Sequence, residues 1–349
     1  MPANRKLGFY SIPRSRYKLV SVAAESCSML SAQILSPMRL HAYRFLFYPG
    51  KTPVMKFTKY AQKCWMLIYY AWLRIRLSLA PGHHRRQAIR LPPVEGRIPA
   101  RPDTPLLFFA AADHRYFDKY GRSFIGSLLA HQRVPSVHIH LFNPQAKQLE
   151  YLQQLATSAP DLRLSYSWEH ADLQPLPTPR RGRYYYSMRF VRMDQLMRQT
   201  GADCLCLDID TLLVKPAEEL MSALRDCDIA FYPRFGRFGI DTKLLAGTLF
   251  LRYAPLPVQL LSRIADKISR FIRGGQVLNK LDQIVIYDEF KRFSKRESGL
   301  RFKPLDESVI DTGFTDSGII WYPKGQSKND ALYEEKRRRY STLTPNIPS

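Results

Sequence analysis

Asp208 and Asp210 stand one residue apart in the run 205–214, Leu-Cys-Leu-Asp-Ile-Asp-Thr-Leu-Leu-Val. An apolar run of this kind reads as a buried strand, whose side chains alternate faces. Both carboxylates would then point the same way where the strand emerges. Two close carboxylates repel unless a cation or a shared proton lies between them. Hard oxygen ligands of this type suit Mg²⁺ or Mn²⁺. The plainer reading is a strand end with two solvated aspartates.

Elements must carry that pair to an edge where a ligand can reach it. Apolar runs at 106–112, 137–142, 162–166, 228–232, 246–252 and 317–322 read as strands. Helical spacing covers 116–132, 145–157, 184–199, 257–273 and 279–292. Alternating strands and helices predict an α/β fold with a mostly parallel sheet. The segment 173–182, with Pro175, Pro177 and Pro179, reads as a loop. Ligands of such sheets bind beyond the carboxyl ends of the strands, where the runs ending at Asp113 and Asp208 would meet.

Six segments, in order from residue 106 onward, resemble the GT-A glycosyltransferases, most closely those of glycosyltransferase family 8. They are Phe108 to Tyr116, Tyr184 to Phe190, Leu207-Asp208-Ile209-Asp210, Leu245-Ala246-Gly247, Leu281-Asp282-Gln283, and Tyr322-Pro323-Lys324-Gly325-Gln326-Ser327-Lys328. The resemblance implies a GT-A (Rossmann-like) mixed sheet flanked by helices. It implies transfer of a sugar from a nucleotide-diphosphate donor, expected to be a UDP-sugar, with retention of anomeric configuration. Mn²⁺ or Mg²⁺ would be held by Asp208 and Asp210. The donor would meet Ala112, Asp113, Arg115, Tyr116, Arg189, Asp208, Gly247, Lys324, Gly325 and Lys328. Asp282 and Gln283 would lie at the reacting sugar. The acceptor stays open, and a glycan or a lipid-linked glycan would suit the basic face of the chain. Two positions depart from the family pattern. Tyr322 stands in place of a metal-binding histidine, and Leu245 in place of an asparagine. A phenol with a pKa near 10 is a poor ligand at neutral pH, so weaker metal binding is expected.

The individual residues keep plainer readings as well. Asp113 could serve a turn, Asp282 and Gln283 a helix N-terminus, Arg189 a solvated helix face, and Lys324 and Lys328 a solvated basic segment. A rival enzyme reading is a haloacid-dehalogenase-like phosphatase. Asp208 would be its nucleophile, Asp210 its general acid, and Asp311 and Asp316 its later acidic pair. That motif normally opens its domain, whereas here α/β pattern precedes it.

The chain of 349 residues carries a net charge of +23. Residues 1–104 hold about 18 Lys and Arg against about 3 Asp and Glu. Such an excess favours polyanions or an anionic membrane surface. No pattern for a specific nucleic-acid interface is present, though a non-enzymatic basic binding protein is a further reading. The expected organisation is a poorly ordered basic segment at 1–55, an amphipathic helix at 56–80 and a Pro/Arg-rich linker at 81–105. The catalytic domain would follow at 106–330 and a frayed basic tail at 331–349. Tryptophans and tyrosines flanked by cations in 56–80 suit a helix lying in a membrane interface, too short to span it, and equally a helix packed on the main domain, since both need the same apolar face. The five cysteines are odd in number and match no zinc spacing. Free thiols in a reducing compartment are expected, hence a cytoplasmic protein, peripheral at the inner face of a membrane.

Overall fold

The computed structural model describes residues 91–97 and 106–344, save 175 and 238. The described residues all belong to the unit Tyr70–Ser349. The segment 1–55 and the helix expected at 56–80 lie outside them.

In chain order the elements begin with β1 Glu95–Arg97, β2 Leu106–Asp113, α1 His114–His131, β3 Ser136–Phe142, α2 Ala146–Ser158 and β4 Arg163–Glu169. Then come α3 Thr178–Thr200, β5 Asp203–Leu207, β6 Leu212–Leu213, α4 Ala217–Leu224, β7 Ile229–Pro233 and β8 Leu244–Leu251. The last are α5 Pro255–Arg273, α6 Leu281–Phe293, β9 Phe302–Pro304, β10 Ile310–Asp311, β11 Ile320–Trp321 and α7 Ala331–Ser341. Eight strands form one sheet in the order β1-β4-β3-β2-β5-β8-β7-β9. Strands β4, β3, β2 and β5 run parallel, and β8 is antiparallel to both β5 and β7. The fold is the mixed, mostly parallel α/β sheet expected from the sequence. A small second sheet joins β10, β11 and β6.

Helices cover both faces, which explains why the central strands are apolar throughout. On one face Phe108, Ala110, Ile139 and Leu207 join a core with Phe124 and Leu128 of α1, Leu152 of α2 and Tyr333 and Tyr340 of α7. The other face meets α3. There β3 and β4 turn His138 and His140 toward Ser165, Ser167 and Glu169.

Three expectations are corrected. Residues 95–97, read as linker, pair antiparallel with β4. A three-residue exposed edge strand has no pattern of its own, and its partner defines it. Residues 331–341, read as frayed tail, form α7, whose buried Tyr333 and Tyr340 pack into the core. A Cβ on Gly126 of α1 would collide with the Tyr340 carbonyl, so this close approach requires glycine. Helix α3 starts at Thr178, inside the segment read as loop. Proline is tolerated in a first turn, where its missing N–H has no intrahelical partner.

Candidate active site

Strand β5 ends at Leu207, and the chain turns at Asp208, whose N–H donates to the Gly247 carbonyl at 2.9 Å. The Thr211 N–H and hydroxyl return to the Asp208 carbonyl at 2.9 and 2.8 Å. Both aspartates lie beyond the strand, so this turn, rather than strand alternation, brings Asp208 and Asp210 to the carboxyl edge of the parallel strands.

Each carboxylate has a cation. Arg189 of α3 donates to Asp208 and to Asp282 of α6, the latter at 3.3 Å. Lys328 pairs with Asp210 and donates to the Tyr116 hydroxyl at 2.6 Å. The second Asp208 oxygen accepts from the Tyr322 hydroxyl. Five separate segments therefore converge: the start of α1, α3, the β5 turn, the start of α6 and the 322–328 segment. Gly247 borders them, and a Cβ there would run into Asp208 and the Tyr322 hydroxyl.

Three carboxylates face two cations, so the cluster carries one surplus negative charge. Burial works to raise the Asp208 pKa, but Arg189 and Tyr322 outweigh it and hold that carboxyl below its usual range. Asp210 is pushed up to about 6 by burial and then by Asp208, against the pull of Lys328. Asp282 also rises to about 6, through burial, despite Arg189. Burial works against the Arg189 charge, yet Asp208 overcomes it and keeps the guanidinium protonated. One Asp282 oxygen, Oδ1, is buried without a hydrogen-bond partner.

This surplus of charge fits a divalent cation. Asp208 and Asp210 offer hard oxygens. Tyr322 offers none, because its hydroxyl proton is engaged by Asp208 and its pKa is driven far up by burial. Among the described residues no group of three acidic, histidine or cysteine side chains gathers as a ligand set. A cation here would complete its shell with oxygens of a bound diphosphate and water.

The remaining sequence candidates divide. Asp113 caps α1, accepting from the Tyr116 N–H at 2.8 Å. Ala112 lies in the core, and Arg115 is exposed. With its amide nitrogen turned toward two carbonyls, Gln283 donates to Leu244 at 3.0 Å and Asp241 at 2.8 Å. Asp282 is no helix cap, since it lies inside α6 and points at Arg189. Lys324 is exposed, and Gly325 opens the short 3-10 helix Gly325–Asn329 at φ +60°, which presents Lys328. The acidic pair of the phosphatase reading is not available. Asp311 is spent within its own loop, accepting from Gly313 at 2.8 Å and Thr315 at 2.7 Å.

Behind the site, Glu169 fixes α3. It accepts from Tyr184 at 2.7 Å and from Arg192 at 2.5 Å. Arg192 lies near one turn beyond Arg189, so this buried pair sets the helix that carries Arg189. His138 and His140 extend the network through Ser167, each at 2.8 Å. The network was not legible in the sequence, where these histidines show no ligand spacing.

No family model and no curated protein matches the chain. Among solved structures it is similar to the galactosyltransferase LgtC in complex with donor and acceptor sugar analogs. The identity is 13%, over 70% of this chain and 98% of that one, with a TM-score of 0.45. It is similar to the bifunctional enzyme WbbM at 11% identity and TM-score 0.44, over 70% of this chain and 50% of that one. GlyE of Streptococcus pneumoniae TIGR4 gives 14% identity and TM-score 0.43, over 68% of this chain and 61% of that one. The chain thus spans half the length of WbbM. All three are glycosyltransferases by name.

Proposed function

We propose that the chain is a glycosyltransferase that takes a sugar from a nucleotide-diphosphate donor, with UDP-sugars the expected donors. The observation that carries this reading is the cluster itself. Two carboxylates at the sheet edge are bracketed by Arg189 and Lys328, with Asp282 beside them. A departing diphosphate gains negative charge as the glycosidic bond breaks, and fixed cations are worth most in a site that excludes water. Arg189 and Lys328 supply that charge from the protein. A Mn²⁺ or Mg²⁺ ion held by Asp208 and Asp210 would act as a Lewis acid on the diphosphate.

The other residues bind and orient. The unpartnered Asp282 oxygen can accept from a sugar hydroxyl, which satisfies a buried acceptor that otherwise costs about 1–3 kcal/mol. Gln283, anchored through its nitrogen, is left with an amide oxygen for the sugar. Tyr116, partly exposed beside Lys328, offers a ring to the nucleotide; Ala112, Asp113, Arg115, Lys324 and Gly325 join it as donor residues on the sequence resemblance. Retention of configuration follows from the sequence resemblance. A glycan or lipid-linked acceptor suits the basic face of the chain, and a cytoplasmic enzyme peripheral to an anionic membrane follows from its cysteines and its cationic first 104 residues. No helix among the described residues is long and apolar enough to cross a membrane.

The test is a panel of nucleotide sugars in thermal unfolding, with and without Mn²⁺. A ligand that binds the folded state raises the midpoint by mass action. A rise for one nucleotide sugar, larger with Mn²⁺, supports the reading. No rise for any member would remove it.

A further inference from the structure

The turn after β7 carries Arg234, Phe235, Gly236 and Arg237. It closes through the Arg237 N–H on the Arg234 carbonyl at 3.1 Å. The Arg234 N–H donates to the Lys243 carbonyl at 2.7 Å, and the Lys243 amine reaches the Phe235 carbonyl at 3.5 Å. The turn is thereby fastened to residues 241–244, whose Asp241 and Leu244 carbonyls face the Gln283 side-chain amide. It thus lies beside Gln283, which the sequence resemblance puts at the reacting sugar.

Its side chains have no internal purpose. Phe235 is 72% exposed, the most exposed of the large apolar side chains described. Arg234 is half-buried, and Arg237 is exposed beside it. Neither guanidinium has a carboxylate partner among the described residues, whereas nearby Lys280 is paired with Asp241 at 3.0 Å. Burial, and then Arg237, make the Arg234 charge costlier than usual, against the attraction of Tyr322. Two adjacent arginines without an acid are a site for an anion, which the guanidinium fork binds in bidentate fashion. An exposed aromatic ring offers an apolar face of the kind that the C–H face of a sugar ring can cover.

We propose that Arg234, Phe235 and Arg237 form the acceptor subsite and take a sugar that carries a phosphate or carboxylate group. This rests on the glycosyltransferase reading above. The same arginines could instead serve the donor diphosphate, since Arg234 lies within electrostatic reach of Tyr322. The two sources of anion separate in one set of measurements.

Saturation-transfer NMR on the full chain, with UDP and Mn²⁺ present, would compare glucose, glucose 6-phosphate, glucuronate and inorganic phosphate. Calorimetry would follow UDP in parallel. The two anionic sugars should bind at least about tenfold more tightly than either glucose or phosphate alone. Arg234→Ala with Arg237→Ala should abolish that binding. Phe235→Ala should weaken it while leaving the thermal midpoint nearly unchanged, because the side chain is largely exposed. The UDP affinity should be the same in all variants. Equal binding of glucose and glucose 6-phosphate overturns the proposal. So does phosphate binding as tightly as the phosphosugar, which would leave the ring face without a role. A loss of UDP affinity in the arginine variant assigns the turn to the donor and also overturns it. Failure of the wild-type protein to bind UDP would instead sink the glycosyltransferase reading, and the sugar comparison would still report on the turn.

Discussion

At the scale of single residues, the site depends on side chains that neutralise one another in a confined space. Gly247 marks how confined it is, because its missing Cβ leaves room for Asp208 and Tyr322. Gly247→Ala is expected to push both aside, costing about 1–3 kcal/mol of stability as an overpacked site does. It should also abolish metal-assisted UDP binding. Urea unfolding and calorimetry on the same sample would check the two effects. The pair Asp208 and Asp210 was legible in residue type and spacing, while Arg189, Asp282 and Lys328 came from the resemblance; the five side chains do meet. What the pattern did not show is that Tyr322 joins them as a hydrogen-bond donor to Asp208. An exchange of histidine for tyrosine looks like a loss in sequence and becomes a new contact in space. Arg234 and Arg237 were likewise missed, though two Arg-Phe-Gly triplets in succession, at 234–239, were a visible signal.

At the scale of elements, buried polar contacts and tertiary packing hold the site's supports. His138 is fully enclosed between Ser165 and Ser167, and burial lowers its pKa to about 3. The unfolded chain binds this proton at about 6.5, so it takes up protons first as pH falls. Stability is then complete above that value and declines between about 6.5 and 3. At pH 5 the loss from this one group is about 2 kcal/mol. Glu169, held below its usual range, acts in the same direction. His138→Gln should flatten the pH dependence of chemical unfolding between pH 7 and 5. Helix α7 is the second support. Tyr333 is buried and donates to the Asp210 carbonyl. Tyr333→Ala should cost about 3–5 kcal/mol by urea unfolding, as loss of a large buried aromatic does. Apolar runs such as β2 and β5 were readable because burial on both faces demands them. Edge strands β1 and β9 and the two-residue strand β10 were not, since pairing rather than pattern defines them. Helix α7 was hidden by its Lys-Arg-Arg-Arg run, although two tyrosines about two turns apart were already present in the sequence.

At the scale of the whole molecule, the cationic bias of residues 1–104 and the aromatic helix expected at 56–80 motivate a surface-bound enzyme. Each Lys or Arg near an anionic surface contributes about 1 kcal/mol. The full chain should therefore sediment with anionic vesicles at low salt and much less at high salt, while neutral vesicles retain little. The fold sets the useful truncation point. Removal of residues 1–104 would strip β1 from β4 and deprive Arg192 of the Pro92 carbonyl at 3.1 Å. A chain starting at residue 91 should lose vesicle binding and still bind donor. Indifference of the full chain to anionic vesicles at low salt would end the membrane reading. The central claim concerns the donor, and calorimetry of UDP with and without Mn²⁺ on wild-type protein and on Asp210→Ala tests it most directly. The account expects the wild type to bind UDP more tightly with Mn²⁺, and the variant to lose that gain while remaining folded. Undiminished Mn²⁺-dependent binding by Asp210→Ala, or no UDP binding by the wild type, would contradict it.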